Sequence, residues 1–174
     1  ETGGAPVSVR VEKPGEVVGG AKGVARVTLI GPGKHNAMGP EFWAELPGVI
    51  ADLDANPDVR AIVVAGEGRN FSYGLDLVAM MPVLGEYFSG EVDASKPMGL
   101  YELITSMRAA IDAVGEAKTP TVAAIQGRCI GGGMDLISAC DVRHGSADSA
   151  YSVREVKVGI VADMGSLARL PYII

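Results

Sequence analysis

Three carboxylates, Asp135, Glu155 and Asp163, stand close together in the chain: Glu155 follows Asp135 by twenty residues and Asp163 follows Glu155 by eight. Carboxyl groups take and give protons near neutral pH when their surroundings push their pKa values apart. Just before the first acid, an apolar, β-branched run over residues 121–125 leads through Gly127-Arg128-Cys129-Ile130 into Gly131-Gly132-Gly133, and a second apolar run covers residues 134–140. The order reads strand, glycine turn, helix. Residues without side chains let the backbone turn sharply and let a ligand approach its amides, and the first amides of a new helix have no internal partner. Those N–H groups form an anion or oxyanion site.

Taken singly, each acid has an ordinary explanation. Asp135 in the first turn of a helix is favoured by the helix dipole. Glu155 beside Arg154 and Lys157 reads as a solvated charge, and Asp163 before Met164-Gly165-Ser166 reads as a cap for the next helix. Their joint spacing beside the glycine turn singles them out. No His, Cys or carboxylate partner lies at ligand spacing from His35 or His144, so no metal site is expected. Gly31-Pro32-Gly33-Lys34 resembles part of a phosphate loop, but Thr28 stands five before Gly33 and His35 follows Lys34, so the pattern fails. A serine nucleophile elbow is absent.

The elements that position these groups read as one α/β domain over residues 1–174, with residues 1–6 as a flexible tail. The 174 residues are 48% hydrophobic and 21% charged, enough for one substantial core. A net charge of −6 opposes a general nucleic-acid or anionic-membrane surface. The longest apolar region contains Gln126, Arg128 and Asp135 and is no membrane span. Two cysteines, Cys129 and Cys140, in a core of this size suggest reduced thiols and a cytoplasmic protein. Alternating runs at residues 7–11 and 24–30 predict a strand pair joined by a glycine-rich connection. A helix follows over 41–53, with Phe42, Leu46, Val49, Ile50 and Leu53 at helical spacing, then a buried strand over 60–65. Residues 71–77 read as a loop feeding a short helix, 81–99 as a mobile loop, and 100–117 as a long helix. After the glycine turn come strands at 141–146 and 150–153, an apolar loop over 158–162 and a helix from Ser166. A strand-strand-helix unit recurs roughly every 50 to 70 residues.

Asn36-Ala37-Met38 after a basic residue, Phe71-Ser72-Tyr73-Gly74-Leu75-Asp76-Leu77 and Gly131-Gly132-Gly133-Met134-Asp135-Leu136 resemble the acyl-coenzyme A binding and oxyanion-hole segments of the enoyl-CoA hydratase/isomerase (crotonase) superfamily. The resemblance covers nearly the whole chain from about Val7. It implies a spiral of ββα units, found in homotrimers or homohexamers, that binds an acyl-CoA thioester and needs no cofactor besides the CoA of its substrate. The backbone N–H groups of Leu75 and Gly132 would form the oxyanion hole. Lys34, Asn36, Ala37, Ser72, Tyr73, Gly74, Asp76 and Gly131 would line the substrate site, with Lys34 and Arg69 the nearest cations to the CoA phosphates. Chains of the family normally continue into C-terminal helices beyond the position of Ile174.

Within the superfamily, hydratases generally carry glutamates at the positions of Asp135 and Glu155 and a non-acidic loop at that of Asp163. The acids of this chain instead resemble those of Δ3,5-Δ2,4-dienoyl-CoA isomerases, as do Lys34-His35-Asn36-Ala37-Met38 and Phe42-Trp43. That resemblance implies Glu155 as base at C2 and Asp163 as acid at C6, or the two ends reversed, with Asp135 orienting or tuning them. Enoyl-CoA hydration is the alternative reaction, and a non-catalytic scaffold on the same fold the alternative of another class.

Overall fold

The computed structural model describes residues 7–19, 21–31, 34–88 and 95–174. The main sheet begins with β1 (Val9–Glu12) and β2 (Val24–Leu29), an antiparallel pair in the register Val9 to Leu29. It continues with β3 (Ala61–Gly66), β4 (Thr121–Ile125) and β6 (Val142–Gly145), each parallel to its neighbour, giving the order β1-β2-β3-β4-β6. Alternate residues bury one face: Ala25, Val27 and Leu29 on β2, Ile62 and Val64 on β3, and Thr121, Ala123 and Ile125 on β4. Two short parallel strands, β5 (Arg128–Ile130) and β7 (Ala150–Ser152), form a second sheet. This small sheet sets the direction of the glycine turn.

Helix α1 (Pro40–Ala55) starts with proline at its first position and buries Phe42, Trp43, Leu46, Ile50 and Leu53. It packs against α3 (Ser95–Gly115), which buries Met107, Ala110, Ile111 and Val114. Helix α4 (Gly132–Ala139) is buried on every side and packs against α3, β5 and the helix that follows Gly165. Between β3 and α3 in the chain lies α2 (Leu77–Phe88), and α5 (Ser166–Arg169) packs against α4.

The segment read as an aperiodic loop from Met81 is helical through Phe88 and again from Ser95. Pro82 lies inside α2, and Leu77, Val78 and Met81 are exposed. A helix that is apolar on its outer side shows no period against which to recognise it. Residues 1–6, expected to form a tail, and residues 89–94 lie outside the described residues.

Candidate active site

Two loops meet where the acids gather. Ser72 is fully buried; its Oγ donates to the Asn36 carbonyl at 2.7 Å and accepts the Gly74 N–H at 3.0 Å. The Ile130 N–H donates to the Ser72 carbonyl at 3.0 Å, tying this loop to β5. Met38 forms a parallel bridge with Leu75, its N–H donating to the Gly74 carbonyl at 2.7 Å and its carbonyl accepting the Asp76 N–H at 3.0 Å. In a parallel bridge the residue opposite is skipped, so the Leu75 N–H faces away from Met38. Asp76 Oδ1 accepts the N–H groups of Val78 and Ala79 at 3.1 and 3.0 Å and caps α2.

Asn36 is buried, with φ at 56°. Its Nδ2 donates to the carbonyls of Glu67, Asn70 and Phe71 at 2.9, 3.0 and 3.0 Å. Its amide thus holds the loop that carries Leu75. Asn36→Ala strands three carbonyls and places a less tolerant residue at positive φ. It is expected to cost about 1–3 kcal/mol, read as a lower urea midpoint with unchanged slope.

The second loop is the glycine turn. The Gly131 N–H donates to the Ser152 carbonyl at 3.0 Å, and the Gly131 carbonyl accepts the Met134 N–H at 2.7 Å. Gly131 is therefore spent on the turn, while Gly132 opens α4, where the first N–H groups lack intrahelical acceptors. At Gly74, with φ at 77°, a Cβ would lie 2.6 Å from the Gly132 nitrogen and 2.7 Å from the Ile130 carbonyl oxygen. A Cβ on Gly132 would in turn lie 3.7 Å from the Leu75 nitrogen. Bare backbone on both loops lets the Leu75 and Gly132 amides stand side by side.

Leu75 and Gly132 line one cavity of about 130 Å³ together with Asp135, Glu155 and Asp163. Trp43, Tyr73, Leu77, Val158, Ile160 and Met164 supply its apolar walls, and Arg154 lines it too. Asp135 is 1% exposed. Its Oδ1 accepts the Ser166 N–H at 2.8 Å and the Ser166 hydroxyl at 2.5 Å, whereas Oδ2 is buried with no partner among the described residues. Burial pushes the Asp135 pKa up; the Ser166 hydrogen bonds oppose this, and Asp163 adds to it. Glu155 is half-buried, with Oε1 3.4 Å from where a Cβ on Gly131 would lie and a buried, unpartnered Oε2. Its pKa is raised first by burial and further by the charges of Asp135 and Asp163. Asp163 is exposed and lines the same cavity.

The stability consequence is testable at Asp135. Between 3.8 and its raised native value, the folded protein holds a proton that the unfolded chain releases, so this group's contribution falls as pH rises through that window. Asp135→Asn keeps the acceptor for Ser166 and cannot ionise. It is expected to raise Tm by a few degrees at pH 7, the advantage vanishing below pH 3.8, as read by thermal melts across pH.

Of the other residues singled out, Tyr73 lines the cavity and stacks on His35, with ring centroids 4.4 Å apart and planes 24° from parallel. Lys34 and Arg69 are exposed and Ala37 is half-buried; none of the three lines the cavity. Ser72 and Asp76 spend their side chains on the loop itself. Ser166 was not anticipated, because a serine thirty-one residues from Asp135 leaves no local pattern. Among the described residues no group of three or more His, Cys, Asp and Glu side chains could hold a metal, and no helix is long and apolar enough to cross a membrane. Cys129 and Cys140 are free and buried, each thiol pushed up to about 12 by burial.

Fold and site together define an α/β protein in which two glycine-bearing loops and three acids meet at one apolar cavity. Residues 19–174 match the enoyl-CoA hydratase/isomerase family, and the chain belongs to that family. Its fold is the crotonase fold. It is 43% identical over 82% of its length to the peroxisomal Δ(3,5)-Δ(2,4)-dienoyl-CoA isomerase of Arabidopsis thaliana, covering 51% of that protein. To the mitochondrial enzyme of the same name from Mus musculus it is 39% identical over 91% of its length, covering 48% of that protein. A solved structure described as an enoyl-CoA hydratase from Streptomyces coelicolor A3(2) superposes with a TM-score of 0.77 at 32% identity, covering 96% of this chain and 56% of that one. The chain spans about half the length of the curated relatives it matches. The cytoplasmic expectation is overturned, since these relatives are named peroxisomal and mitochondrial. Reduced, buried thiols oppose an oxidising compartment but do not distinguish the cytoplasm from an organelle with reduced thiols.

Proposed function

We propose that the protein isomerises 3,5-dienoyl-CoA to 2,4-dienoyl-CoA by proton transfer between two carboxyl groups, with the Leu75 and Gly132 amides as the oxyanion hole. The observation that carries this reading is the meeting of three acids and two bare-backbone loops at one apolar cavity. Glu155 lies beside Gly131, on the side of the cavity where the amides would hold the thioester oxygen, which favours it as the base at C2. It takes the C2 proton; the electron pair delocalises onto the thioester oxygen, where two preorganised donors stabilise it. The electrons return through the diene, forming the C2–C3 and C4–C5 double bonds as C6 takes a proton from Asp163. Asp135 touches neither end. Held by Ser166, it raises the basicity of Glu155 through its charge.

The names of the relatives support the same reaction, and the CoA part of the substrate leaves no need for another cofactor. Exposed Val156, Val161 and Leu167, which lie outside the cavity lining, support burial against further copies, in the trimer or hexamer that the resemblance implies. The test is a 3,5-dienoyl-CoA assay followed by the growth of 2,4-dienoyl absorbance. Wild type is expected to turn over and Asp163→Asn to lose the signal. Hydration of a 2-enoyl-CoA that survives Asp163→Asn, with no diene shift, would make the protein a hydratase.

A further inference from the structure

We propose that Arg169, anchored by Asp112, is a positioning residue that clamps the turn over residues 163–166 and so sets where Asp163 stands relative to Glu155. The inference rests on the proposed diene isomerisation, because only a reaction with two separated proton transfers needs that spacing fixed. Arg169 lies outside the cavity lining, so its action is through the turn. Its side chain folds back from α5 over the turn, and Nη1 donates to the Met164 carbonyl at 3.4 Å. Gly165 sits at φ 115°, and a Cβ there would fall 2.1 Å from the same Nη1. The guanidinium therefore occupies the space that a side chain in the turn would take. On its other side Nη2 is bonded to Asp112 Oδ1 on α3, and Asp112 Oδ2 accepts Arg108 Nε at 3.2 Å one turn earlier. A carboxylate shared by two arginines on a long, packed helix is a fixed anchor.

The turn so held carries two groups of the site. Asp163 begins it and faces the cavity, while Ser166 ends it and gives Asp135 both of its hydrogen bonds. The charges around Asp135 are Asp163 on the turn, Glu155 after β7 and Arg169 on α5, with Asp112 and Arg108 behind Arg169 on α3. Arg169 is thus the cation placed behind a cavity rich in acids. Without it the turn loses its tether to α3, and Asp163, the exposed acid, is the group free to shift. Glu155 is held separately, in the short helix that follows β7.

The experiment separates the two proton transfers. Exchange of the C2 proton with D2O reports on Glu155 and the amides; formation of the 2,4-diene also requires Asp163. Arg169→Met and Asp112→Ala are each expected to slow diene formation at least about tenfold more than C2 exchange, as for a displaced acid. The double variant should lose no more than either single one, since both break the same tether. KM should change little, and Arg169→Lys should restore part of the rate without the fork of hydrogen bonds. If diene formation and exchange fall together, or neither falls, the clamp is wrong while an active wild type leaves the isomerase reading intact. A wild type that forms no diene overturns both.

Discussion

Glu155→Gln is expected to lower kcat for diene formation by about 10²–10⁴-fold, the range for removing a positioned general base. The amide has nearly the shape of the carboxyl but cannot accept the C2 proton. KM should stay within a few fold, because Glu155 faces the reacting carbon rather than the CoA. The pH profile offers a second reading. Burial and the charges of Asp135 and Asp163 raise the Glu155 pKa above 4.5, so activity that needs the ionised form is lost as pH falls through that raised value. The acid limb of kcat/KM should therefore lie above 4.5 and move down in Asp135→Asn, which removes one of the charges raising it. A limb unmoved by that variant would take Asp135 out of the tuning role. Steady-state kinetics across pH with both variants settles the matter.

Gly74→Ala carries the second large effect. One methyl group at this position would stand 2.6 Å from the Gly132 nitrogen and 2.7 Å from the Ile130 oxygen, on backbone already at φ 77°. Neither neighbour is a flexible side-chain tip, so the two loops must part. Separating the Leu75 and Gly132 amides removes at least one donor from the developing oxyanion, which costs about 10²–10³ in kcat. A stability loss is also expected, because alanine at positive φ is strained. Circular dichroism melts and kinetics on the same sample distinguish the two: a variant still folded at the assay temperature should keep less than about one hundredth of wild-type kcat. Near-normal turnover in a folded Gly74→Ala protein would mean that the oxyanion is not held between these loops.

Much of the fold was legible because its signals are local. The β-branched run at Thr121–Ile125, the glycine turn and the apolar run of α4 are contiguous, and each is marked by residue types side by side in the chain. The same holds for α1, where Phe42, Leu46, Ile50 and Leu53 repeat at helical spacing and are buried. The start of α2 was legible as a short helix after residues 71–77, but its run past Met81 was not, since Pro82 and apolar residues on its exposed side remove the contrast that periodicity needs. The short strand β5 was read as part of a connection because three residues carry too little pattern; pairing with β7 defines it. In the site, the acids and glycines could be picked out by type and spacing. Their supports could not: the Ser166 to Asp135 bonds and the Arg169 to Asp112 tie join residues far apart in sequence, and only the folded chain brings them together.

The role expected for Asn36 shows the same limit from the other side. Its type and neighbours place it in the substrate segment, yet its amide spans three backbone carbonyls and its influence on a ligand passes through the loop it holds. Bare-backbone loops of this kind depend on buried polar side chains to stay in place.

The central claim, that protons leave at C2 and arrive at C6 by different carboxyl groups, is tested most directly by turnover of unlabelled 3,5-dienoyl-CoA in D2O, with the product read by mass and NMR. Asp163 is exposed to solvent, so the account predicts one solvent deuterium at C6 of every 2,4-dienoyl-CoA formed. Product in which C6 carries the hydrogen removed from C2 would show a single group moving it from end to end, and would contradict the account.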